Sequence, residues 1–187
     1  AGGSIGAELC HQIARFRPAR LVLFDISEAA LYEIQTALSD TFPQLPLVTV
    51  VGDVKHAALV EDVLERERPS VIFHAGAYKH VPLMEETNAW QAVRNNSYGT
   101  YVLARAAVAA RVEKFVLVSS DKAVNPTNVM GATKRLAEIV CQSLQGGVTQ
   151  FVLVRFGNVF GSAGSVIPRF SEQIARGGPV TVTHPEI

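Results

Sequence analysis

Short apolar segments alternate with amphipathic segments along almost the whole chain, and this alternation constrains the fold most. Five apolar segments have the length of strands: residues 21–24, 47–51, 71–73, 115–118 and 151–154. The spacing of apolar residues predicts helices over residues 8–16, 28–38, 57–66, 90–110 and 128–144. Apolar strands that alternate with helices predict a parallel sheet covered on both faces. The predicted fold class is therefore α/β, with a doubly wound parallel sheet.

A glycine-rich segment, Gly3-Ser4-Ile5-Gly6, stands directly before the first predicted helix. Because glycines carry no side chain, backbone amides at such a helix start can approach a pyrophosphate, and we take all four residues as candidate cofactor-binding residues. In a Rossmann-type sheet the motif follows the central strand, which the sequence does not show here. The chain also stops just after a further predicted strand that begins at Val180.

We therefore expect one Rossmann-type NAD-binding domain over residues 1–187, without its first strand and most of its C-terminal substrate lobe. Residues from about 155 onward would begin the substrate-binding part.

Polar or small residues follow the predicted strands and are candidate cofactor ligands. Asp25 lies 19 residues after Gly6, where a carboxylate can accept hydrogen bonds from an adenine ribose and repel the 2′-phosphate of NADP, so NAD is expected. The alternative is a helix cap, a role that Ser27 can also fill. Asp53, with Val54 beside it, would reach the adenine or cap a helix. Small residues after the next strand would let a dinucleotide lie across the strand ends, or would mark a packing corner; they are Ala75, Gly76 and Ala77.

The segment after the fourth predicted strand carries the densest set of reactive groups. Ser120, Asp121 and Lys122 follow the strand directly, and Met130 and Lys134 lie four residues apart on the next helix. Ligands bind at the carboxyl ends of strands in open α/β sheets, so a hydroxyl, a carboxylate and an ammonium there indicate a catalytic centre. A capped loop is the alternative, but a cap has no need of an adjacent Asp-Lys pair.

Composition narrows the class of protein. Lysine plus arginine number 17, as do aspartate plus glutamate, so the formal net charge is zero and no nucleic-acid partner is expected. No apolar stretch is long enough to span a membrane, and no signal peptide is visible. Cys10 and Cys141 lack metal-ligand spacing, so no metal site is expected. We expect a cytoplasmic domain without membrane contact of its own, although an anchor before Ala1 would tether a longer protein.

These motifs resemble the extended branch of the short-chain dehydrogenase/reductase superfamily, and more narrowly the bacterial UDP-N-acetylglucosamine 4,6-dehydratases of polysaccharide biosynthesis. The matching segments are residues 3–6, Asp25, residues 52–54, 74–82, Asn96, residues 99–100, 119–134 and 155–162. The Asp-Lys pair and the Lys-His-Val-Pro segment are the specific ones, whereas the glycine loop is shared by the whole superfamily.

The resemblance implies a redox-neutral reaction on one sugar. The C4 hydroxyl is oxidised with NAD as the hydride acceptor, water is eliminated across C5 and C6, and the hydride returns to C6. Lys122 is then the expected base at C5 and Asp121 the acid at C6. A crowded lysine has a lowered pKa and a desolvated aspartate holds its proton longer, which would suit these roles. Ser120 would bind the sugar near C4, and Lys134 the nicotinamide ribose.

Met130 departs from the superfamily pattern, in which a tyrosine stands four residues before the helical lysine and takes the C4 proton. A methionine cannot transfer a proton, which leaves the C4 base unassigned. Asp121, or a water held by Ser120 and Lys134, could serve. The alternative is that Met130 fills the core of an inactive site.

The expected partners are a UDP-sugar substrate and further copies of the chain, through the helical region 101–110. Candidate substrate-binding residues are Lys79, His80, Asn96, Asn158, Ser165, Val166 and Thr181. Two other functions stay open: a UDP-sugar 4-epimerase, and a non-catalytic protein that binds NAD or a nucleotide sugar for regulation.

Overall fold

The computed structural model describes residues 1–157, 159 and 166–182, with only the backbone described for residues 166–169. It forms two compact units, Ala1–Phe156 and Gly157–Ile187. In the first unit the strands are β1 Leu21–Asp25, β2 Leu47–Val51, β3 Val71–His74, β4 Lys114–Val118 and β5 Gln150–Val154. The larger helices are α1 Ser4–Arg15, α2 Glu28–Thr41 and α3 Ala57–Glu67, followed by α4 Val81–Met84 and α5 Ala89–Ala92, then α6 Gly99–Ala109 and α7 Val129–Ser143.

All strands pair in parallel, in two sheets of order β1-β2 and β3-β4-β5. Among the described residues no strand pairs with the second edges of β1 and β3. This arrangement agrees with the expected Rossmann-type sheet without its central strand. The Ala1 nitrogen donates a hydrogen bond to the carbonyl of Phe24 in β1 (2.9 Å), so the glycine segment starts at the end of that strand.

Helices cover both faces of the strands because neighbouring strand residues point to opposite faces. Leu23 packs against α1 and α2 through Cys10, Ala14, Leu31, Ile34 and Leu38. Phe24, the next residue, packs with Val60 and Leu64 of α3 and Val102 and Ala106 of α6, and Ile72 of β3 joins the same cluster. The α3–α6 layer therefore holds β1 and β3 in one unit although they share no ladder.

The predicted helix over residues 90–110 is present, but its middle is wound differently. Residues Val93–Tyr98 form a π-helical turn between α5 and α6. Such turns are rare and frequently occur at functional sites. The turn carries Asn96, which is fully buried.

The second unit contains α8 Val166–Ala175. The strand expected to begin at Val180 is not formed in the described residues 180–182. There the backbone amide of Thr181 donates a hydrogen bond to Gln173 Oε1 (3.0 Å), and the side-chain nitrogen Nε2 of Gln173 donates one to the Thr181 hydroxyl (2.7 Å). These bonds tie the segment back to α8 instead of to a sheet.

Candidate active site

The Asp-Lys pair lies at the carboxyl end of β4, in a single 3-10 turn over Asp121–Ala123. The Ser120 hydroxyl accepts a hydrogen bond from the Lys122 amide (3.2 Å) and donates one to Asp121 Oδ1 (3.0 Å). Lys122 Nζ lies 3.1 Å from the same Oδ1, and the Asp121 and Lys122 side chains are 53% and 35% exposed. The structure thus brings hydroxyl, carboxylate and ammonium together in one accessible group.

The protonation of this group differs from the sequence-based expectation of a desolvated Asp121 that retains its proton. Partial burial acts to raise the pKa of the Asp121 carboxyl, but hydrogen bonds from Lys122 and Ser120 outweigh it and hold the pKa below its usual value. Asp121 is therefore ionised in this structure, and it forms a salt bridge with Lys122.

Helix α7 presents Met130 and Lys134 on its buried face, as their spacing predicts. Lys134 Nζ donates a hydrogen bond to the Val118 carbonyl (2.6 Å), the last residue of β4. Burial lowers the pKa of Lys134 from 10.5 to about 8, although the Glu138 carboxylate opposes that shift. The sequence-based argument did not assign a lowered pKa to Lys134, and the role of Lys122 as the base at C5 stays a prediction.

Met130 is enclosed by apolar neighbours rather than directed into open space. It is 5% exposed and packs in a cluster with Met84 of α4 and Ala92 of α5. Nearby, Glu85 Oε1 accepts a hydrogen bond from the Val129 amide (2.9 Å), so the segment that follows His80 is held on the first turn of α7. Packing is the role that the structure shows for the Met130 side chain.

Gly131 sets how closely α7 approaches the Asp-Lys turn. A Cβ atom at this position would lie 2.3 Å from the Lys122 carbonyl oxygen, a distance that no real side chain tolerates. Asn128 caps the helix by accepting the Gly131 amide (2.8 Å). The sequence analysis did not single out Gly131, although a glycine in the first turn of a helix is itself a signal of close backbone approach.

A buried carboxylate that sequence reasoning missed connects these elements. Glu138 of α7 is 0% exposed and accepts hydrogen bonds from the Ser119 hydroxyl (2.6 Å), from Arg155 Nε (2.8 Å) and from Arg135 Nη1 (3.0 Å). Burial acts to raise the pKa of Glu138, but the bonds from Arg155, Ser119 and Arg135 outweigh it and lower the pKa to about 2. A charged residue four positions after Lys134, on the same helix face, was the available signal.

The glycine segment combines a close backbone approach at Gly6 with open space at Gly3. A Cβ on Gly6 would lie 2.6 Å from the Ala1 carbonyl oxygen, whereas a Cβ on Gly3 would meet nothing within 4 Å. Gly6 is therefore needed for close packing, and Gly3 borders open space at the start of α1. The N-cap residue, Gly3, has no side chain with which to cap this helix, whose first turn contains Ser4 and Ile5. The structure starts the helix at Ser4, so three of the four residues of the expected loop are already helical.

Asp25 is placed at the end of β1 beside this helix start. Its Oδ2 accepts hydrogen bonds from the Ala1 nitrogen (2.7 Å) and the Gly2 amide (2.8 Å), and its Oδ1 accepts the Ser27 amide (3.0 Å). Partial burial acts to raise the pKa of the carboxyl, but these bonds hold it below its usual value. Ser27 caps α2, so the carboxylate of Asp25 is not used as that cap.

Asp53 forms a local turn with its neighbours. Its Oδ1 accepts the Lys55 amide (2.9 Å) and lies 2.8 Å from Lys55 Nζ, while about a third of its side chain is exposed. Val54 packs where α6 begins, because a Cβ on Gly99 would lie 2.8 Å from Val54 Cγ1. Asp53 does not cap α3, whose N-cap residue is His56, and its role as an adenine ligand stays a prediction.

Strand β3 ends in a buried histidine, His74, that was given no role of its own in the sequence-based prediction. His74 Nε2 lies 3.0 Å from the Thr100 hydroxyl, which donates its hydrogen to the Asn96 carbonyl (2.6 Å), so His74 Nε2 is the donor. Gly76 is exposed, and Ala75 and Ala77 on either side are half-buried. A Cβ on Gly76 would make only an ordinary contact with the His74 ring.

Among the predicted substrate ligands of the first unit, Lys79 and His80 are exposed, whereas Asn96 is not. Asn96 Oδ1 accepts the Tyr78 amide (2.8 Å), and Nδ2 donates to the Tyr78 carbonyl (3.1 Å) and the Thr133 hydroxyl (3.0 Å). Its side chain is thus occupied in supporting the backbone of the 74–80 segment. In the second unit Thr181 is exposed and bound to Gln173. Asn158, Ser165 and the side chain of Val166 lie outside the described residues.

In the described part of the chain, no group of three or more histidine, cysteine, aspartate or glutamate side chains is arranged to hold a metal ion. No helix in that part is both long and apolar enough to cross a membrane.

The chain is similar to proteins that make polysaccharides and modify nucleotide sugars. It is 51% identical to the capsular polysaccharide biosynthesis protein CapD of Staphylococcus aureus, over 100% of this chain and 32% of CapD. It is 35% identical to a UDP-glucose 4-epimerase of Rickettsia canadensis, over 88% of this chain and 48% of the epimerase. It is 31% identical to the UDP-N-acetylglucosamine 4,6-dehydratase (inverting) of Campylobacter jejuni, over 91% of this chain and 51% of the dehydratase.

The chain thus spans a third to a half of the length of these relatives. Among solved structures, Pen from Bacillus thuringiensis matches with a TM-score of 0.86 and 36% identity, over 98% of this chain and 56% of Pen. The family model described as polysaccharide biosynthesis protein matches residues 1–187. The chain therefore belongs to the polysaccharide biosynthesis protein family, within the extended short-chain dehydrogenase/reductase branch that its motifs indicated.

Proposed function

We propose that this chain is the cofactor-binding and catalytic part of a nucleotide-sugar 4,6-dehydratase, a hydro-lyase that converts UDP-N-acetylglucosamine to the 4-keto-6-deoxy sugar nucleotide. The observation that carries the proposal is the exposed Asp121–Lys122 pair at the end of β4, with Lys134 on the adjacent helix. Elimination of water needs one group that removes a proton and another that supplies one, at neighbouring carbons.

NAD is the cofactor that the residues fit. Bound NAD would accept the hydride from C4 and supply it again at C6. The open space at Gly3, where α1 starts, would receive the pyrophosphate. The ionised Asp25 carboxylate accepts hydrogen bonds and repels a 2′-phosphate, which favours NAD over NADP.

The salt bridge suggests how both groups reach the state that elimination needs. As an ion pair, Lys122 has no lone pair to accept a proton and Asp121 has no proton to give. Transfer of one proton from Lys122 Nζ to Asp121 Oδ1, across 3.1 Å, produces a neutral amine and a carboxylic acid together. Exclusion of water by a bound sugar favours that neutral pair.

The protons that these residues take up and release then balance over the reaction. Neutral Lys122 takes the proton from C5, the electron pair of that bond forms the C5–C6 double bond, and the C6 hydroxyl leaves with the proton of Asp121 as water. When the hydride returns to C6, Lys122 gives its proton back to C5, which leaves a neutral Lys122 and an ionised Asp121. Ser120 would bind the oxygen at C4. The proton of the C4 hydroxyl would pass to a water held by Ser120 and Lys134, because Asp121 already holds a proton at that stage, and from there to Lys122, which restores the ion pair seen in the structure.

A UDP-sugar 4-epimerase is the second candidate, because a relative of that name is 35% identical to the chain. Epimerisation shares the oxidation at C4 but has no use for an acid and a base at C5 and C6. A non-catalytic NAD or nucleotide-sugar binder is the third, because Met130 cannot transfer a proton.

The deciding experiment incubates the full-length protein with UDP-N-acetylglucosamine and NAD, and measures the product by mass spectrometry. We expect loss of one water without accumulation of NADH. Asp121→Asn and Lys122→Met should each lower the rate at least about 100-fold. The matched control is Lys114→Met, which removes an exposed lysine at the opposite end of β4 and should leave the rate unchanged.

Other outcomes select the other functions. A product of unchanged mass with inverted C4 would identify an epimerase. NAD binding without any turnover of the sugar would identify a binding protein and reject both enzymatic proposals.

A further inference from the structure

The buried Glu138 carboxylate joins the three elements around the candidate active site. Through Ser119 it contacts the end of β4, through Arg155 it contacts the residue that follows β5, and it belongs to α7 itself. Arg155 binds in a fork, with Nε on one carboxylate oxygen and Nη2 on the other (2.8 and 2.5 Å). Burial of an unpaired carboxylate costs free energy of folding, and a buried carboxylate that is paired in this way is still weak evidence for a purely stabilising role.

Two successive turns of α7 hold the strand end in place. Lys134 Nζ binds the Val118 carbonyl, and one turn later Glu138 binds the side chain of Ser119, the next residue along the strand. Backbone bonds from Ser119 to the Val154 carbonyl (2.7 Å) and from Asp121 to the Phe156 carbonyl (3.1 Å) attach the same segment to the end of β5. The next residues along the chain are Ser120, Asp121 and Lys122.

We propose that Glu138 is a positioning residue, which fixes the Ser120–Asp121–Lys122 turn relative to Lys134 by holding the Ser119 hydroxyl. This role is additional to the proposed function, and only the kinetic part of its test depends on that function. Arg155 anchors the Glu138 carboxylate through its Nε and Nη2 atoms. Arg135 reaches the same carboxylate from α7, is partly exposed, and has no described contact with the strand end.

The charge of Glu138 also acts on the pKa of Lys134, which gives a second measurement beside stability. Glu138 faces two cations, Arg135 of α7 and Arg155 after β5. The other titratable groups coupled to Lys134 are His74 of β3 and Cys141 of α7, and both are uncharged near neutral pH because burial lowers the pKa of His74 to about 3 and raises that of Cys141 to about 12. The Glu138 carboxylate raises the pKa of Lys134, which burial otherwise lowers. Removal of its charge should therefore move the titration of Lys134 further down, by on the order of one pH unit.

The test uses the full-length protein with Glu138→Gln, Ser119→Ala and the control Arg135→Gln. Turnover of UDP-N-acetylglucosamine is measured against pH, and the Lys134 side chain is titrated by NMR in lysine-labelled protein, with Lys134→Arg to assign its signal. We expect kcat to fall at least tenfold in Glu138→Gln and Ser119→Ala, with KM within twofold. The alkaline limb of the pH profile and the NMR midpoint of Lys134 should both shift downward in Glu138→Gln only. Arg135→Gln should keep kcat within twofold.

Each result decides the proposal. Unchanged kcat in Ser119→Ala would overturn it, as would a Glu138→Gln protein that loses thermal stability while its Lys134 titration stays in place. If Glu138→Gln does not fold, Ser119→Ala still decides, because that variant keeps the ion pair with Arg155. If the native protein does not turn over the sugar, the proposed function fails, and the NMR titration alone tests Glu138.

Discussion

At the scale of single residues, Met130 shows how packing and chemistry can be separated. The side chain fills a space between Met84 and Ala92, and it cannot act as an acid or a base. We predict that Met130→Leu, which conserves volume, destabilises the protein by less than about 1.5 kcal/mol. Met130→Ala should cost about 2–5 kcal/mol because it leaves a cavity. Urea denaturation measures both.

Turnover in the same variants tests the role of the thioether. If Met130 only fills space, the Met130→Leu variant should have a near-native kcat. A large loss of kcat in that variant, at unchanged stability, would instead show that the methionine contacts the substrate.

His74 provides a prediction about pH. Burial, and to a lesser extent the charge of Lys134, lowers its pKa from 6.5 to about 3 in the folded protein. Between those values the unfolded chain binds one proton more, so stability must fall as the pH falls through this range. From pH 7 to pH 5 we expect His74 to account for a loss of about 2 kcal/mol.

The pH dependence is measured by urea denaturation at both pH values in the native protein, in His74→Asn and in His56→Asn. Replacement of His74 should remove its part of the pH dependence. His56 is exposed at the start of α3, so its replacement should not. An equal pH dependence in the native protein and His74→Asn would contradict the prediction.

At the scale of elements, the first turn of α7 must lie directly on the Asp-Lys turn. Gly131 permits this contact, since any Cβ would meet the Lys122 carbonyl at 2.3 Å. We predict that Gly131→Ala displaces Lys122, lowers kcat at least tenfold and destabilises the protein by about 1–3 kcal/mol. Gly147→Ala is the matched control, because a Cβ there meets nothing within 4 Å. Similar kcat in the two variants would show that the close approach is unimportant.

At the scale of the whole molecule, periodicity and strand-end logic predict the fold well. The five strands and the main helices occur where apolar spacing places them, because burial on both faces leaves a clear pattern in the sequence. The π-helical turn at Val93–Tyr98 was not predicted, since it depends on the tertiary hydrogen bonds of Asn96. α8 was missed as well, and the strand predicted from Val180 is absent from the described residues.

The sequence predicts that Asp25 and Ser120–Lys122 lie at the carboxyl ends of β1 and β4, since that follows from parallel topology alone, but it does not predict the contacts of these residues. Which lysine is buried, and that Asp121 is ionised, depend on distances of a few ångströms between elements. Glu138 escaped attention because its partners, Ser119 and Arg155, lie far from it in sequence.

The last prediction concerns self-association. Tyr101 and Val108 lie seven residues apart on one side of α6 and are exposed, and Tyr101 stacks on the exposed Tyr98 with ring centroids 6.3 Å apart. Leu136 and Ile139 are exposed on α7, which contacts α6. Exposed apolar side chains on neighbouring helices favour contact with a second copy of the chain. We expect the native protein to sediment as an oligomer.

Sedimentation velocity tests this expectation with paired variants. Tyr101→Glu and Ile139→Glu should each shift the protein toward the monomer, because a charge buried at an interface is unfavourable. Tyr32→Glu is the control, since that tyrosine is 69% exposed on α2, away from this face, and its replacement should leave the oligomer intact. A native protein that sediments as a monomer at micromolar concentration would refute the prediction. Dissociation by all three variants would show that the added charge, and not its place on α6 or α7, decides the assembly.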